Sequence, residues 1–235
     1  MNEQIKIQSK LNKDITLKVI PGHFSSDRFH VNYYIDMSTL KMRHSEAKKV
    51  AETMASKYVN KINLNVKNAF LDNLGSLVET GAVTQPIDTI ICMDGCEVIG
   101  AYLADELLKH GVTTNTKHKS FYVITPEFDN TGQMVVRDNI KSMIQGRHVL
   151  VVLASAMSGR TISKAIGTIL AYAGIVEGLS VIFANVDEVE GYKVHGVFTK
   201  DDLPNFKLTD PNNCDECKAG KKLDAVVNSY GYTPL

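Results

Sequence analysis

The sequence predicts an α/β fold in which an open parallel sheet carries helices on both faces. Between residues 45 and 200, apolar strand-like runs alternate with segments of helical periodicity. One of these runs, Val149-Leu150-Val151-Val152-Leu153, is apolar at every position, which is typical of a central parallel strand covered by helices. In such sheets ligands bind at the carboxyl ends of the strands, so the loops after the strands are where a site is expected.

The individual elements follow from local pattern. Apolar residues recur at three- and four-residue spacing after Ser45, a candidate N-cap, and predict a helix that extends to residue 59. A second helix ends at His110-Gly111, the cation and glycine expected at a helix C-terminus, and Gly174 closes a third. The second and third predicted helices are 98–108 and 162–173, and the predicted strands are 88–93, 120–124, 149–153 and 179–184.

Composition excludes several classes of protein. The 235 residues carry 26 Lys and Arg against 26 Asp and Glu, so the basic footprint of a nucleic-acid binder is missing. A chain of this length buries enough apolar surface to fold without disulfide bonds, so its four cysteines are not expected to form a disulfide scaffold. No apolar stretch approaches the roughly 18 residues of a spanning helix or the core of a signal peptide. We expect a cytoplasmic protein with small-molecule or protein partners and no membrane or nucleic acid.

Two strand-to-helix turns carry the expected site. The sharper one holds Ser155, Met157, Ser158, Gly159, Arg160 and Thr161, after the central strand. Free N–H groups at a helix start favour an anion, Gly159 permits close approach of the backbone, and the hydroxyls of Ser158 and Thr161 add donors. The loop is thus a candidate phosphate cradle. The alternative is a plain helix cap with a turn glycine.

With these motifs the chain resembles the type I phosphoribosyltransferases, and among them the orotate phosphoribosyltransferases, over roughly residues 20 to 200. The loop after the central strand resembles the family's motif for the 5′-phosphate of phosphoribosyl pyrophosphate. Residues Asp94, Gly95, Cys96 and Glu97 resemble its pyrophosphate loop, and residues 126–137 lie where it has a mobile catalytic loop. Asn32-Tyr33-Tyr34-Ile35-Asp36 resembles the hood segment, so the resemblance implies a domain, 1–209, with an N-terminal hood. The turn cluster at 210–213 and the cysteines and lysines after it predict that 210–235 is a C-terminal tail.

The chain departs from the family's pattern at three places. The acidic pair that holds the ribose hydroxyls falls on Leu153 and Ala154, and the basic pair that opens the mobile loop falls on Ile124 and Thr125. The family's base-recognising arginine aligns with Glu188, next to Asp187. Hydrogen bonds to charged groups contribute about 1.5 to 3 kcal/mol each, so losing two carboxylate contacts would cost roughly two to four powers of ten in rate or affinity.

These departures favour a protein that binds a ribose-5-phosphate-containing ligand, a nucleotide or phosphoribosyl pyrophosphate, in a regulatory or non-catalytic role without a cofactor. The alternative is an active phosphoribosyltransferase, for orotate or another base, that needs Mg²⁺ and in which Asp94, Glu97 or Asp187 replaces the missing acids. No catalytic residue is assigned. The resemblance implies a homodimer, and Tyr33, Tyr34 and Asp187 are the candidates on the base side. The tyrosines alternate with apolar neighbours, so at least one ring is expected to pack in a core or dimer interface.

Cys214-Asp215-Glu216-Cys217 has the spacing of half a zinc site. Two ligands do not make a site, so the sequence assigns no metal. Two reduced thiols in a tail are the first interpretation, and a zinc ion shared by the tails of a dimer is the second. The seven histidines, at 23, 30, 44, 110, 118, 148 and 195, show no ligand spacing and are assigned no role.

Overall fold

The computed structural model describes residues 3–59 and 86–235. Its elements, in chain order, are β1 (Ile5–Gln8), β2 (Thr16–Ser25), β3 (His30–Asp36), α1 (Ser38–Met42), α2 (His44–Ala55), β4 (Thr89–Cys92), α3 (Glu97–Lys109), β5 (Tyr122–Ile124), β6 (Glu127–Phe128), β7 (Met134–Val135), α4 (Asp138–Lys141), β8 (His148–Ala156), α5 (Arg160–Ala171), β9 (Ile175–Ala184), β10 (Glu188–Val189), β11 (Tyr192–Thr199), β12 (Leu208–Thr209), α6 (Asp215–Lys218), β13 (Ala225–Asn228) and β14 (Gly231–Pro234).

The main sheet has the strand order β10-β11-β9-β8-β4-β5, and every pair except β10 with β11 is parallel. Alternate residues of the central strand β8 enter two cores. Leu150, Val152 and Ala154 pack in the core that contains α2 and α3, whereas Val149, Val151 and Leu153 pack in the core that contains α5. Helices therefore cover both faces of a parallel sheet, which confirms the predicted fold class.

A second sheet forms the hood, in the order β12-β3-β2-β13-β14, with β1 also paired to β2. Residues 210–235, predicted as a tail, supply β13 and β14 to this sheet. Ala225 and Val226 pair in parallel with Phe24 and Ser25 of β2, and Ala225 and Val227 are buried against Phe24 and Tyr34. The tail thus shares a small hydrophobic core with the hood.

The boundaries of the predicted elements shift by up to four residues in the structure, and helix α2, for example, ends at Ala55 and not at residue 59. Helix α2 begins at His44 with Arg43 as its N-cap residue, so Ser45 lies inside the first turn and does not cap the helix. Strand β9 begins at Ile175, before the predicted start at residue 179. Every helix within residues 3–59 and 86–235 is too short or too polar to span a lipid bilayer.

Candidate functional site

The candidate phosphate loop lies between β8 and α5, at the carboxyl edge of the main sheet. Gly159 is the N-cap residue of α5 and has φ 76°, a left-handed conformation that favours glycine. A Cβ atom there would lie 2.7 Å from Cγ2 of Val189, on β10. Both observations explain why this position is glycine, because a side chain would strain the backbone and collide with the β10–β11 hairpin.

The loop presents its donors to solvent. Ser158, Arg160 and Thr161 are exposed, and no side chain caps the first turn of α5. In the described part of the chain, these three side chains make no hydrogen bond or ion pair. The first N–H groups of any helix lack intrahelical partners and carry the positive end of the helix dipole. An anion with several acceptor oxygens would satisfy these backbone and side-chain donors together.

The remaining predicted loop residues, Ser155 and Met157, contact β9 and the loop after it. The Asn185 side chain donates to the Met157 carbonyl at 3.0 Å, and the Asn185 backbone N–H donates to the Ala156 carbonyl at 2.9 Å. Ser155 lies within β8 and pairs with Phe183 of β9. Ser163, one turn into α5, donates to Glu190 Oε1 at 2.7 Å. The β9–β10 loop and the β10–β11 turn therefore support the cradle from one side.

The turn after β4 lies beside this cradle, because β4 and β8 are neighbouring strands. Asp94 and Gly95 have φ values of 58° and 77° and reverse the chain before α3. Burial raises the pKa of the Asp94 carboxyl, and hydrogen bonds from the Ser229 side chain and the Ala154 backbone, together with the Lys41 charge, partly offset that effect. Asp94 therefore contacts the carboxyl end of β8 through the Ala154 backbone.

A buried lysine that the sequence did not single out holds this turn. Lys41 of α1 is 1% exposed, and its Nζ donates to the Asp94 carbonyl at 2.7 Å and to the Ser229 carbonyl at 2.6 Å. Nζ also lies 5.4 Å from the centre of the Tyr230 ring. Lys41 thus joins α1, the Asp94 turn and the turn between β13 and β14. The residue type predicts a surface position, because lysine is seldom fully buried, so no sequence signal marks it.

The other residues of the Asp94 turn divide between core and surface. Cys96 is fully buried, and burial raises the pKa of its thiol well above the ordinary value. Cys96 is therefore a neutral packing residue. Glu97 is exposed and accepts a hydrogen bond from the Thr125 hydroxyl at 3.1 Å. Thr125 thus contacts the carboxylate through a neutral group.

The predicted mobile loop is a short hairpin of β6 and β7. Its ends are joined by Arg137 and Glu127 at 2.6 Å, and its turn is held on α5 where Lys164 Nζ donates to the Thr131 carbonyl at 2.6 Å. Gln133 Nε2 also donates to Thr168 Oγ1 at 2.6 Å. The segment is therefore packed against the helix that follows the phosphate cradle.

The candidates on the base side lie in three different surroundings. Tyr34 is buried in the core shared by hood and tail, and its ring makes edge contacts with Phe24 and Tyr232. Tyr33 packs partly buried against the larger core. Asp187 is exposed and forms an ion pair with Lys200 at 2.6 Å. Tyr34 therefore packs in a core, as the sequence predicts for at least one of the two rings. Asp187 pairs with Lys200 at the surface and does not line a common pocket with the tyrosines.

Four residues of the hood and tail bring metal-binding atoms together. His23, His30, Cys214 and Cys217 each offer one such atom, and all four atoms lie within 4.8 Å of one another. The sequence marks the two cysteines but assigns no role to the histidines. The signal that would have found them is the hairpin register, in which Ser25 pairs with His30 and so places His23 and His30 on one face of the sheet.

The fold and these loops define an α/β protein with a glycine-capped helix start, rich in exposed donors, at the carboxyl edge of a parallel sheet. No family model and no curated protein matches the chain. A solved structure of a phosphoribosyltransferase from Corynebacterium diphtheriae is similar, with 12% sequence identity and a TM-score of 0.47 over 79% of this chain and 90% of that chain. The orotate phosphoribosyltransferase of Mycobacterium tuberculosis in complex with phosphoribosyl pyrophosphate has 13% identity and a TM-score of 0.45 over 72% of this chain and 82% of that chain. The adenine phosphoribosyltransferase of Leishmania donovani has 12% identity and a TM-score of 0.46 over 83% of this chain and 80% of that chain.

A testable consequence concerns the Asp94 carboxyl. Its pKa is raised in the folded state, so the folded protein binds this proton more tightly than the unfolded chain, and stability falls as pH rises from the ordinary value near 4 through the folded pKa. We expect Asp94→Asn to match wild type in melting temperature at pH 4 or below and to melt at a higher temperature at pH 7. Thermal melts across this pH range measure the difference.

The matched control is Asp105→Asn, on α3, because Asp105 is 58% exposed and pairs with Lys109 at the surface. This variant should follow the wild-type pH profile. If Asp94→Asn melted below wild type at pH 7, the ionised carboxylate would be a net stabilising partner of Lys41.

Proposed function

We propose that this protein binds a ligand containing ribose 5-phosphate, a nucleotide or phosphoribosyl pyrophosphate, in a regulatory role without phosphoribosyl transfer. One observation carries the proposal: the loop after β8 exposes several hydrogen-bond donors, whereas the last residues of the strand before it have no acidic side chain. The cradle exposes Ser158, Arg160 and Thr161 around Gly159. Leu153 and Ala154, which precede it, are both fully buried.

The buried strand end bears directly on chemistry. Transfer of a phosphoribosyl group develops positive charge on the sugar while a highly charged group departs, so catalysis requires electrostatic groups placed at both positions. The side chains of Leu153 and Ala154 enter the two cores and offer no oxygen to a sugar. At the start of the β6–β7 segment, Thr125 offers a hydroxyl where a departing pyrophosphate would need a cation. The phosphate can therefore bind while the transition state stays unsupported.

A second candidate function, an active phosphoribosyltransferase that uses Mg²⁺, is favoured by the position of Asp94. This carboxylate reaches the Ala154 backbone and lies beside the cradle. It is thus the acid best placed to replace the missing pair. Against this role, the Asp94 carboxylate already accepts from Ser229 and lies near the Lys41 charge, so a ribose would have to compete with groups of the protein itself.

The deciding experiment is calorimetric titration of the full chain with phosphoribosyl pyrophosphate and nucleoside monophosphates, with and without Mg²⁺, beside an assay for orotate consumption. We expect saturable binding that weakens as salt rises, together with no orotate turnover. Turnover at ordinary enzyme concentration would favour the second candidate, and binding of none of these ligands would contradict both. The predicted homodimer and cytoplasmic location stay predictions.

A further inference from the structure

We propose that His23, His30, Cys214 and Cys217 form a tetrahedral zinc site that fastens the C-terminal segment to the hood. The two histidines come from neighbouring strands, β2 and β3. Cys214 is the N-cap residue of α6, and Cys217 lies within that helix. Two imidazoles and two thiolates are a common ligand set of structural Zn²⁺. The site is separate from the phosphate cradle, and the proposal does not depend on the proposed function.

The distances between the ligand atoms fit one metal ion. Zn–N bonds of about 2.05 Å and Zn–S bonds of about 2.3 Å in a tetrahedron place two nitrogens about 3.4 Å apart and a nitrogen and a sulfur about 3.6 Å apart. His23 Nε2 and His30 Nδ1 are 3.2 Å apart. Cys214 Sγ lies 3.4 Å from His23 Nε2, and Cys217 Sγ lies 3.6 Å from His23 Nε2 and 3.3 Å from His30 Nδ1. Each distance is within about 0.3 Å of the tetrahedral edge it would form.

The hydrogen bonds of His23 fix which nitrogen faces the ion. Its Nδ1 lies 3.1 Å from the Lys221 carbonyl and 3.3 Å from the Lys222 carbonyl, and these can only accept. Nδ1 therefore carries the proton of the neutral ring, and the lone pair of Nε2 points at His30 and the two sulfurs. A metal-bound histidine usually donates the N–H of its other ring nitrogen to a carbonyl or a carboxylate. This hydrogen bond orients the ring and raises the basicity of the nitrogen that binds the metal.

Burial and local charge suit a bound cation. His23 is 1% exposed, and His30 and Cys214 are also buried, so three of the four ligand groups are shielded from water. A small cavity of about 110 Å³ borders the cluster, and Asp215 and Glu216 are among its lining residues, which gives an ion a route from solvent past carboxylates. Two thiolates and two neutral imidazoles would balance the 2+ charge of zinc.

The site also explains how the tail is held. The His23 backbone N–H donates to Asp224 Oδ2 at 2.7 Å, and the Asp224 N–H donates to the His23 carbonyl at 2.7 Å. Strand β13 begins at the next residue and leads to Ser229, whose carbonyl accepts from Lys41. A metal at His23 would therefore fix the register of the strand that ends beside the Asp94 turn.

The test is the metal content of the full chain, purified without chelator and dialysed after exposure to Zn²⁺. We expect one zinc ion per chain by elemental analysis, lost in Cys214→Ser and in His30→Gln and retained in the control variants His110→Gln and Cys92→Ala. The control His110 is exposed, and Cys92 is a buried cysteine of β4 outside the cluster. Wild-type protein without stoichiometric zinc would overturn the proposal, as would zinc that both ligand variants retain.

A second readout does not depend on how the variants fold. Cobalt(II) added to metal-free wild-type protein should produce the intense visible bands of a tetrahedral ion and a thiolate charge-transfer band, and zinc should displace both. Lys218, Lys221 and Lys222 are exposed, and removing the metal should speed tryptic cleavage after them because the backbone of the tail is then free to enter the protease. An octahedral cobalt spectrum, or a tryptic pattern that metal removal leaves unchanged, would contradict a zinc ion that holds the tail.

Discussion

Gly159→Val should lower the affinity for phosphate-bearing ligands about 100-fold or more while the chain stays folded. Valine resists φ 76°, and its Cβ would lie 2.7 Å from Val189 Cγ2. The loop must therefore shift, and the N–H groups around it must turn away from a common centre. Losing two hydrogen bonds to a charged ligand costs about 3 kcal/mol or more, which corresponds to about two powers of ten in affinity.

The matched control for this variant is Gly111→Val. Gly111, at the end of α3, has φ 75°, and a Cβ atom on it would meet nothing within 4 Å. It carries the same backbone strain as Gly159 without the collision and without a phosphate loop. Calorimetry should show wild-type affinity for Gly111→Val and lost affinity for Gly159→Val. Equal affinities in the two folded variants would mean that the loop after β8 is a helix cap and that the ligand binds elsewhere.

The main sheet was predictable because its signals are local. A run apolar at five successive positions is either a strand covered on both faces or part of a buried helix. The predicted helices before and after this run favour the strand. The start of β9 was missed for an equally local reason, since Glu177-Gly178 resembles a break. The structure shows why glycine is required there, because a Cβ atom on Gly178 would lie 2.5 Å from the Tyr58 ring.

The hood and tail were less predictable because their contacts join distant parts of the sequence. His23 and Cys214 are 191 positions apart, and Lys41 and Ser229 are 188 apart. A cysteine pair at zinc spacing was visible, but its partners depend on the register of β2 with β3 and on the parallel pairing of β13 with β2. The candidate phosphate loop, in contrast, lies within one short stretch of consecutive residues, so its position and conformation could be predicted from the sequence, and its ligand stays a prediction.

The second large effect is expected at Lys41. Lys41→Met keeps much of the length of the side chain but removes a buried charge that donates to the carbonyls of Asp94 and Ser229. Each hydrogen bond from a charged donor contributes about 1.5 to 3 kcal/mol, so we expect a loss of about 3 to 6 kcal/mol in the free energy of unfolding if both carbonyls are left without a partner. Denaturant unfolding measures this loss. Lys49→Met, which removes only a partly exposed ion pair with Glu46 within the first turns of α2, should cost less than about 1 kcal/mol.

The place where Lys41→Met loosens the structure distinguishes two roles for Lys41. If the lysine holds the β13–β14 turn against the Asp94 turn, Lys41→Met should release residues 228–231 to faster amide exchange and weaken ligand binding beside the cradle, while zinc at His23 and Cys214 is retained. If the lysine is only a core element, exchange should rise evenly over α1 and the hood, and ligand affinity should follow the fraction folded. An unchanged unfolding free energy would contradict both roles, because each requires the charged donor to stabilise the two part-buried carbonyls.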